Sequence, residues 1–347
     1  MTMGAKKLDL ILVGPYPPPA GGIAYHVESL LKLVLRCGFN AVVLDINRNT
    51  TDRVSPVSGR AELFKRIARA DAALVHIHAD SFDLHYHAPV AAVAARLTGK
   101  KVILSIHSGD AADYYEAAPP LKKRLMRFSI KRADLIVADS QEIAEFAKRH
   151  GKEERVAVIS PFLAGNPGFE ELPDGLASFV GGSDPLFVSC GSASPVYRLD
   201  AVLRAFASVK KMRPGAGLVL TRTDAGDDEG WLKLRGLIGE LGLAESVRVE
   251  PNLSHSQFAE LLRRADAFIR FTAHDGDSMS VREALAVGTR VIASDASARP
   301  GGVVLVKSGD ERALADAMLT VDRAGVHPSV EDSSEEFVRL YRELLAG

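Results

Sequence analysis

Two cysteines in 347 residues, Cys37 and Cys190, are too few and too far apart to form a disulfide framework. Both lie in apolar surroundings, so the expectation is two buried free thiols in a reducing compartment and no cysteine-based metal site. Long apolar runs are missing too. No stretch approaches the ~18 residues of a membrane span, and the opening MTMGAKKLDLILVG enters a strand pattern without a long apolar leader region. A cytoplasmic protein, at most peripheral at the inner face of a membrane, is therefore expected. Net charge is nearly absent: a formal −1 at pH 7 argues against a chain that is basic overall and wraps nucleic acid. No G-x-G-x-x-G follows the first strand pattern, which weakens a nicotinamide-dependent oxidoreductase reading.

What is present is a repeated alternation. With 47% hydrophobic and 25% charged residues, the chain exceeds the roughly 250–300 residues at which single cores stop growing, so two domains are expected. Short runs rich in Val, Ile and Leu alternate with amphipathic segments, the pattern of parallel strands buried on both faces. The first series is 8–14, 40–46, 72–78, 101–107, 134–140 and 156–160. A Gly- and Pro-rich stretch, 161–185, follows as an interdomain connection. The second series is 185–191, 217–222, 246–251, 267–272, 290–295 and 303–308. Two Rossmann-like halves facing each other are expected, with the active site in the cleft outside the carboxyl ends of their strands.

Strand ends carry the polar residues that this rule anticipates. Gly21 and Gly22 open a helix whose apolar stripe includes Ile23, Val27, Leu30 and Leu31. Backbone amides there can approach a phosphate or sugar closely, and a simple tight turn explains the same glycines. His107 ends KVILSIH before Ser108-Gly109, which places an imidazole at the cleft mouth. His76 and His78 share a face one strand earlier, without a Cys or acidic partner to complete a metal set, and read as structural. In FTAHDGDSMSVREALAVG, a strand end meets Asp275, Gly276, Asp277 and Ser278, and Glu283 follows on a helix whose first amides can bind an anion or hydroxyls.

The spacing of Asp275 and Glu283 resembles the acid-x7-acid signature of retaining GT-B glycosyltransferases of the group 1, or family 4, class. That family commonly shows Glu-Gly-Phe-Gly-Leu-x-x-x-Glu; here the stretch is Asp275-Gly276-Asp277-Ser278-Met279-Ser280-Val281-Arg282-Glu283. The likeness covers essentially the whole chain, including GGI, the strand-end His107, KRADLIVADSQ, RRADAFIRFT and ALAVGTRVIASD. It implies an α/β fold of the GT-B type, two facing Rossmann-like domains with an interdomain cleft. Residues 1–165 would form the acceptor-side domain, 180–330 the nucleotide-sugar domain, and a helix over 334–347, apolar on one face through Phe337, Leu340, Tyr341 and Leu344, would cross back onto the first.

The resemblance also assigns roles. Asp275 would face the donor sugar hydroxyls, the backbone through Gly276, Asp277, Ser278 and Met279, running on to Ser280, would lie near the sugar and diphosphate, and Glu283 would bind the ribose. Gly21 and Gly22 would cover the diphosphate, and His107 would sit beside the reacting sugar and acceptor. The implied activity is hexosyl transfer from a nucleotide-diphosphate sugar to a glycan or lipid-linked hydroxyl, with retention, in cell-surface polysaccharide or glycolipid assembly, without a metal or other cofactor. One departure stands out. Many members carry two cations, an Arg and a Lys five residues later, where GSASPVYRLD has Ser192 and Tyr197. Arg198 is the nearest substitute, with Arg222, Arg270, Arg282 and Arg299 at or near other strand ends. Arg282 and Arg299 read equally well as surface or ion-pair residues. A noncatalytic or regulatory GT-B-like subunit is the competing expectation. Finally, 119–134 mixes Lys122, Lys123, Arg124, Arg127, Lys131 and Arg132 with apolar residues, which suits either an anionic lipid surface or a solvated helix packed on the first sheet.

Overall fold

The computed structural model describes residues 7–18, 21–162, 168–223, 228–251, 253–320 and 332–346. Residues 1–6, the part 163–167 of the expected connection and Gly347 lie outside them. The chain divides into two compact units, Met1–Ala164 with Glu331–Gly347, and Gly165–Val330.

The first unit holds seven strands: β1 (Leu8–Gly14), β2 (Ala41–Asp45), β3 (Val54–Pro56), β4 (Ala72–Ala79), β5 (Lys101–Ile106), β6 (Leu135–Ala138) and β7 (Val156–Val158). They form one parallel sheet in the order β3-β2-β1-β4-β5-β6-β7. The second holds β8 (Leu186–Gly191), β9 (Gly217–Arg222), β10 (Val247–Glu250), β11 (Ala267–Arg270), β12 (Arg290–Ser294) and β13 (Val303–Val306), ordered β10-β9-β8-β11-β12-β13 and also parallel. All twelve expected strands are present. The additional one, β3, is a three-residue edge strand ending in Pro56, too short for periodicity and placed where a missing N–H is tolerated.

Alternation along a strand builds two cores per sheet. In β1, Leu10 and Leu12 pack with Val27, Leu30 and Val34 of the helix Gly22–Arg36 on one face, while Ile11 and Val13 join Leu63, Ile67 and Ala91 on the other. Phe337, Leu340 and Tyr341 of the helix Ser334–Ala346 complete the first of these clusters, so the C-terminal helix belongs to the N-terminal sheet. In β8, Phe187 faces Leu203 and Phe206, and Val188 faces Leu261, Val281 and Leu285. Each such side chain contributes about 1.5–3 kcal/mol by leaving water. Cys190 is buried as expected, but Cys37 is exposed, because it caps the solvent end of the helix Gly22–Arg36 rather than facing the sheet.

The strand orders fix where ligands can bind. Chain direction across each sheet reverses between β1 and β4 in the first unit and between β8 and β11 in the second. At such switch points the loops leaving the two strands diverge and open a crevice. In the second unit these are the loops beginning at Ser192 and Phe271.

Candidate active site

The loop after β11 leads into the helix Met279–Ala286, with Ser278 as N-cap. Its N-cap side chain does not cap the helix: Ser278 Oγ instead meets Ser280 Oγ at 3.0 Å. Among the described residues, the backbone N–H groups of residues 276–280 have no hydrogen-bond acceptor. Those of 278–280 are the orphan donors of a helix start and those of 276 and 277 belong to the turn before it, together suited to an anion or to hydroxyl oxygens.

Each acid around this turn is held by a base. Asp275 accepts from Arg270 Nε at 2.8 Å and Nη2 at 2.9 Å, from Arg299 Nη1 at 2.8 Å, and from Thr272 Oγ1 at 3.3 Å. Burial by itself would raise the Asp275 carboxyl, but the two guanidinium groups outweigh it and hold it below the usual carboxylate range. Asp277 is paired with Arg282 at 2.8 and 2.6 Å, so the ion-pair reading of Arg282 holds. Glu283, only 5% exposed, is 2.7 Å from His255 Nε2. His255, which starts the helix His255–Arg264, carries no motif that flags it in the sequence.

The loop after β8 contains a 3₁₀ turn, Pro195–Tyr197, capped by Ser194, and then Arg198 at φ 47°, ψ 38°. A non-glycine residue in this left-handed region is strained and worth a functional question. Arg198 donates to Ser308 Oγ at 3.3 Å, and Ser308 donates in turn to the Thr272 carbonyl at 3.4 Å. Gly309 makes room for it: a Cβ there would stand 3.0 Å from Arg198 Nη1. Arg198 also lines a pocket of ≈ 610 Å³ with Ser194, Arg204, Lys233 and Glu311, a cavity that does not reach Asp275 or Glu283. Arg222 lies over the Trp231 ring at 5.2 Å.

In the first unit, Gly21 is the extended N-cap of the helix Gly22–Arg36, and no described atom lies within 4 Å of where its Cβ would stand. His107 points inward, its side chain 4% exposed: Nδ1 is 2.7 Å from Asp139 Oδ2 and Nε2 is 3.0 Å from His78 Nδ1. The sequence places this imidazole at the end of β5, at the cleft mouth. Adjacent strands β4, β5 and β6 end in His78, His107 and Asp139 side by side, and that order closes the ring over. His76 bridges Tyr341 Oη (2.6 Å) and Ser105 Oγ (2.7 Å), as a structural histidine would. Burial first, and neighbouring histidines second, hold His26, His76 and His78 well below the usual imidazole value, so all three are neutral near pH 7. Among the described residues, His26, His78 and His107 are the group whose ring nitrogens lie close enough, within 4.8 Å, to share a metal. The His78 and His107 rings are nearly coplanar (11°) with centroids 5.2 Å apart, so their facing nitrogens have the geometry of an N–H···N hydrogen bond.

In the helix Pro120–Arg132, Met126 and Ile130 are buried in the first unit while Leu121 is 67% exposed among the basic residues. No helix among the described residues is long and apolar enough to cross a membrane.

Residues 178–321 match the model of the group 1 glycosyl transferases, and residues 20–163 match that of glycosyltransferase family 4. A D-inositol 3-phosphate glycosyltransferase of Nocardiopsis dassonvillei is 26% identical over 295 residues, 79% of this chain and 65% of that protein. Another, from Streptomyces avermitilis, is 28% identical over 194 residues, 52% of this chain and 41% of the relative. The matched segments therefore span less than two thirds of either relative. Among solved structures, Anabaena HepE in complex with UDP-glucose superposes with a TM-score of 0.73 at 16% identity, over 97% of this chain and 98% of that one. Sucrose-phosphate synthase from Thermosynechococcus elongatus gives 0.74 at 16% identity, over 97% and 99%. One family model takes each unit, two whole-length structural neighbours share both sheets, and the chain belongs to the group 1 glycosyltransferases with the GT-B fold.

Proposed function

We propose that this protein transfers a sugar, a hexose by its resemblance, from a nucleotide-diphosphate donor to an acceptor hydroxyl with retention of configuration. The observation that carries the reading is the turn at 275–283: two acids, Asp275 with its side chain 9% exposed and the buried Glu283, flank a run of unused backbone N–H groups at the switch point of the second sheet. The structure of HepE with UDP-glucose and the sucrose-phosphate synthase likeness support a nucleotide-sugar donor and a hydroxyl acceptor.

In this reading Glu283 accepts the ribose hydroxyls, with His255 fixing the carboxylate. Amides from Gly276 to Ser280 receive the sugar and diphosphate, helped by Arg198 and, more distantly, Arg222. Gly21 and Gly22 add amides from the first unit. His107 is the group beside sugar and acceptor, its ring held between the Asp139 carboxylate at Nδ1 and His78 Nδ1 at Nε2. The acceptor hydroxyl attacks the face from which the diphosphate leaves. Groups already in place around that diphosphate lower the barrier, because they need no reorganisation as its charge develops. The acceptor is a glycan or a lipid-linked sugar of cell-surface assembly, reached from a basic helix, Pro120–Arg132, at an anionic membrane face.

The test is a donor screen with UDP-, GDP- and ADP-sugars, followed by magnetic resonance of the product. An axial-to-axial (or equatorial-to-equatorial) linkage is expected. Inversion would overturn the mechanism, and nucleotide binding without turnover on any acceptor would assign the chain to the noncatalytic class that Ser192 and Tyr197 suggest.

A further inference from the structure

Arg270 occupies an unusual position. It ends β11 with its guanidinium in the switch-point crevice, 4.9 Å from the centre of the Tyr197 ring on the neighbouring loop. Tyr197 in turn lies flat on Gly191, where a Cβ would come within 2.3 Å of the ring. The glycine at the end of β8 thus lets an aromatic side chain fill the place where the family resemblance puts a lysine, and a guanidinium covers that ring from the adjacent strand.

The charge around it does not cancel. Arg270 and Arg299 face a single carboxylate, Asp275, so this buried cluster carries one excess positive charge. Arg299 is closed off: Nη1 goes to Asp275, Nε to the Ser294 carbonyl, Nη2 to Thr272 Oγ1, and with its side chain 1% exposed its remaining N–H bonds are out of a ligand's reach. Arg270 is not. Its Nε and Nη2 hold Asp275, and Nη1 makes a long 3.4 Å contact with the Cys190 carbonyl. Two of the five N–H bonds of a guanidinium therefore remain for a ligand. Asp275 already takes four donors, which leaves its carboxylate little capacity for sugar hydroxyls but fixes the plane of Arg270 firmly. A buried, unbalanced cation is costly unless an anion arrives to meet it.

We propose that Arg270 is a further cation, beside Arg198, that contacts the departing diphosphate, with Asp275 and Arg299 as positioning residues that aim it. The assignment deepens the donor reading above and rests on it. The cation lost at Tyr197 has moved one strand over, to a side chain that binds phosphate through a planar fork.

Calorimetry with UDP, GDP and ADP against UMP, GMP and AMP tests it, on the full chain and on Arg270→Gln, which keeps a stem and a hydrogen bond to Asp275 while removing the charge. Diphosphate affinity should fall about 10- to 100-fold, the usual range for a charge-assisted contact. Monophosphate affinity should change by less than roughly twofold, a selectivity that general loosening of the site does not produce. Arg270→Lys should recover part of the loss, and so should Tyr197→Lys placed in the Arg270→Gln background. A parent chain that binds diphosphates and an Arg270→Gln variant that binds them equally well overturn the assignment alone. A parent that binds none of the three diphosphates overturns the donor reading, and the assignment with it. Should Arg270→Gln fail to fold, the Arg270→Lys variant decides: a diphosphate-to-monophosphate preference unchanged by that swap, and by Tyr197→Lys in the native background, overturns it.

Discussion

The two units solve the same problem with opposite chemistry. Both are parallel sheets with buried polar side chains gathered at the carboxyl ends of the central strands. The first unit buries neutral bases: His26, His76 and His78 lie together, satisfied by Tyr341 and Ser105 or facing one another. The second buries full charges in pairs, Arg270 and Arg299 on Asp275, and Arg282 on Asp277. A neutral cluster asks for no counter-ion. A clamped cluster with an excess cation does, and in the proposed reading that difference, not the shared fold, marks where an anionic donor belongs.

Acid should break the comparison most strongly. A histidine whose folded pKa is depressed leaves the unfolded chain to take the proton first. Its stabilising contribution is therefore complete above the unfolded value near 6.5 and is lost as pH falls below it. Three such groups cost at most about 4 kcal/mol per pH unit, at ~1.4 kcal/mol each. Asp275 is a carboxyl with a depressed folded value, so its contribution persists above about 3.9, the unfolded figure, and goes only as pH falls through the lower folded one. The molecule carries its own reporter: Trp231, the single tryptophan, is buried in the second unit. Between pH 6.5 and 4.5, far-ultraviolet circular dichroism should register loss of the first unit before Trp231 emission shifts; coincident transitions would show that the histidine cluster is not the weak point.

The second expectation sharpens the contrast in the other unit. Asp275→Ala strands two buried guanidinium groups and should cost about 3–5 kcal/mol in urea unfolding followed by Trp231 emission. A loss under about 1 kcal/mol would mean that water already screens the cluster. His76→Phe is the smaller counterpart. It leaves Tyr341 and Ser105 without their partner, for about 1–3 kcal/mol in the first unit, and should leave the Trp231 transition where it was.

The comparison also explains what could be read in advance. Strand runs such as LDLILVG declare themselves because both faces are buried, and β3 does not because three residues with a proline carry no period. Asp275 and Glu283 were legible as a pair through their spacing and a strand-to-helix change. Their partners were not: Arg299 comes from 24 residues away and His255 from 28, distances set by the return of the chain through other strands. His107 shows the same limit. KVILSIH and DLIVADS both end in polar residues, and only the pairing of β5 with β6 brings His107 to Asp139. Polar residues ending strands that are neighbours in the sheet are the signal that could have joined them.

The central claim, that the charged turn of the second unit holds the donor diphosphate while the histidine cluster of the first is a neutral support, is open to one direct measurement. Hydrogen exchange of the full chain, read by mass spectrometry with and without saturating UDP, GDP or ADP, should show the largest slowing in peptides covering 271–283, where unused amides meet the ligand. Peptides covering 72–79 in β4 should be unchanged. Protection that spares 271–283, or that falls mainly on the histidine strand, would contradict the account.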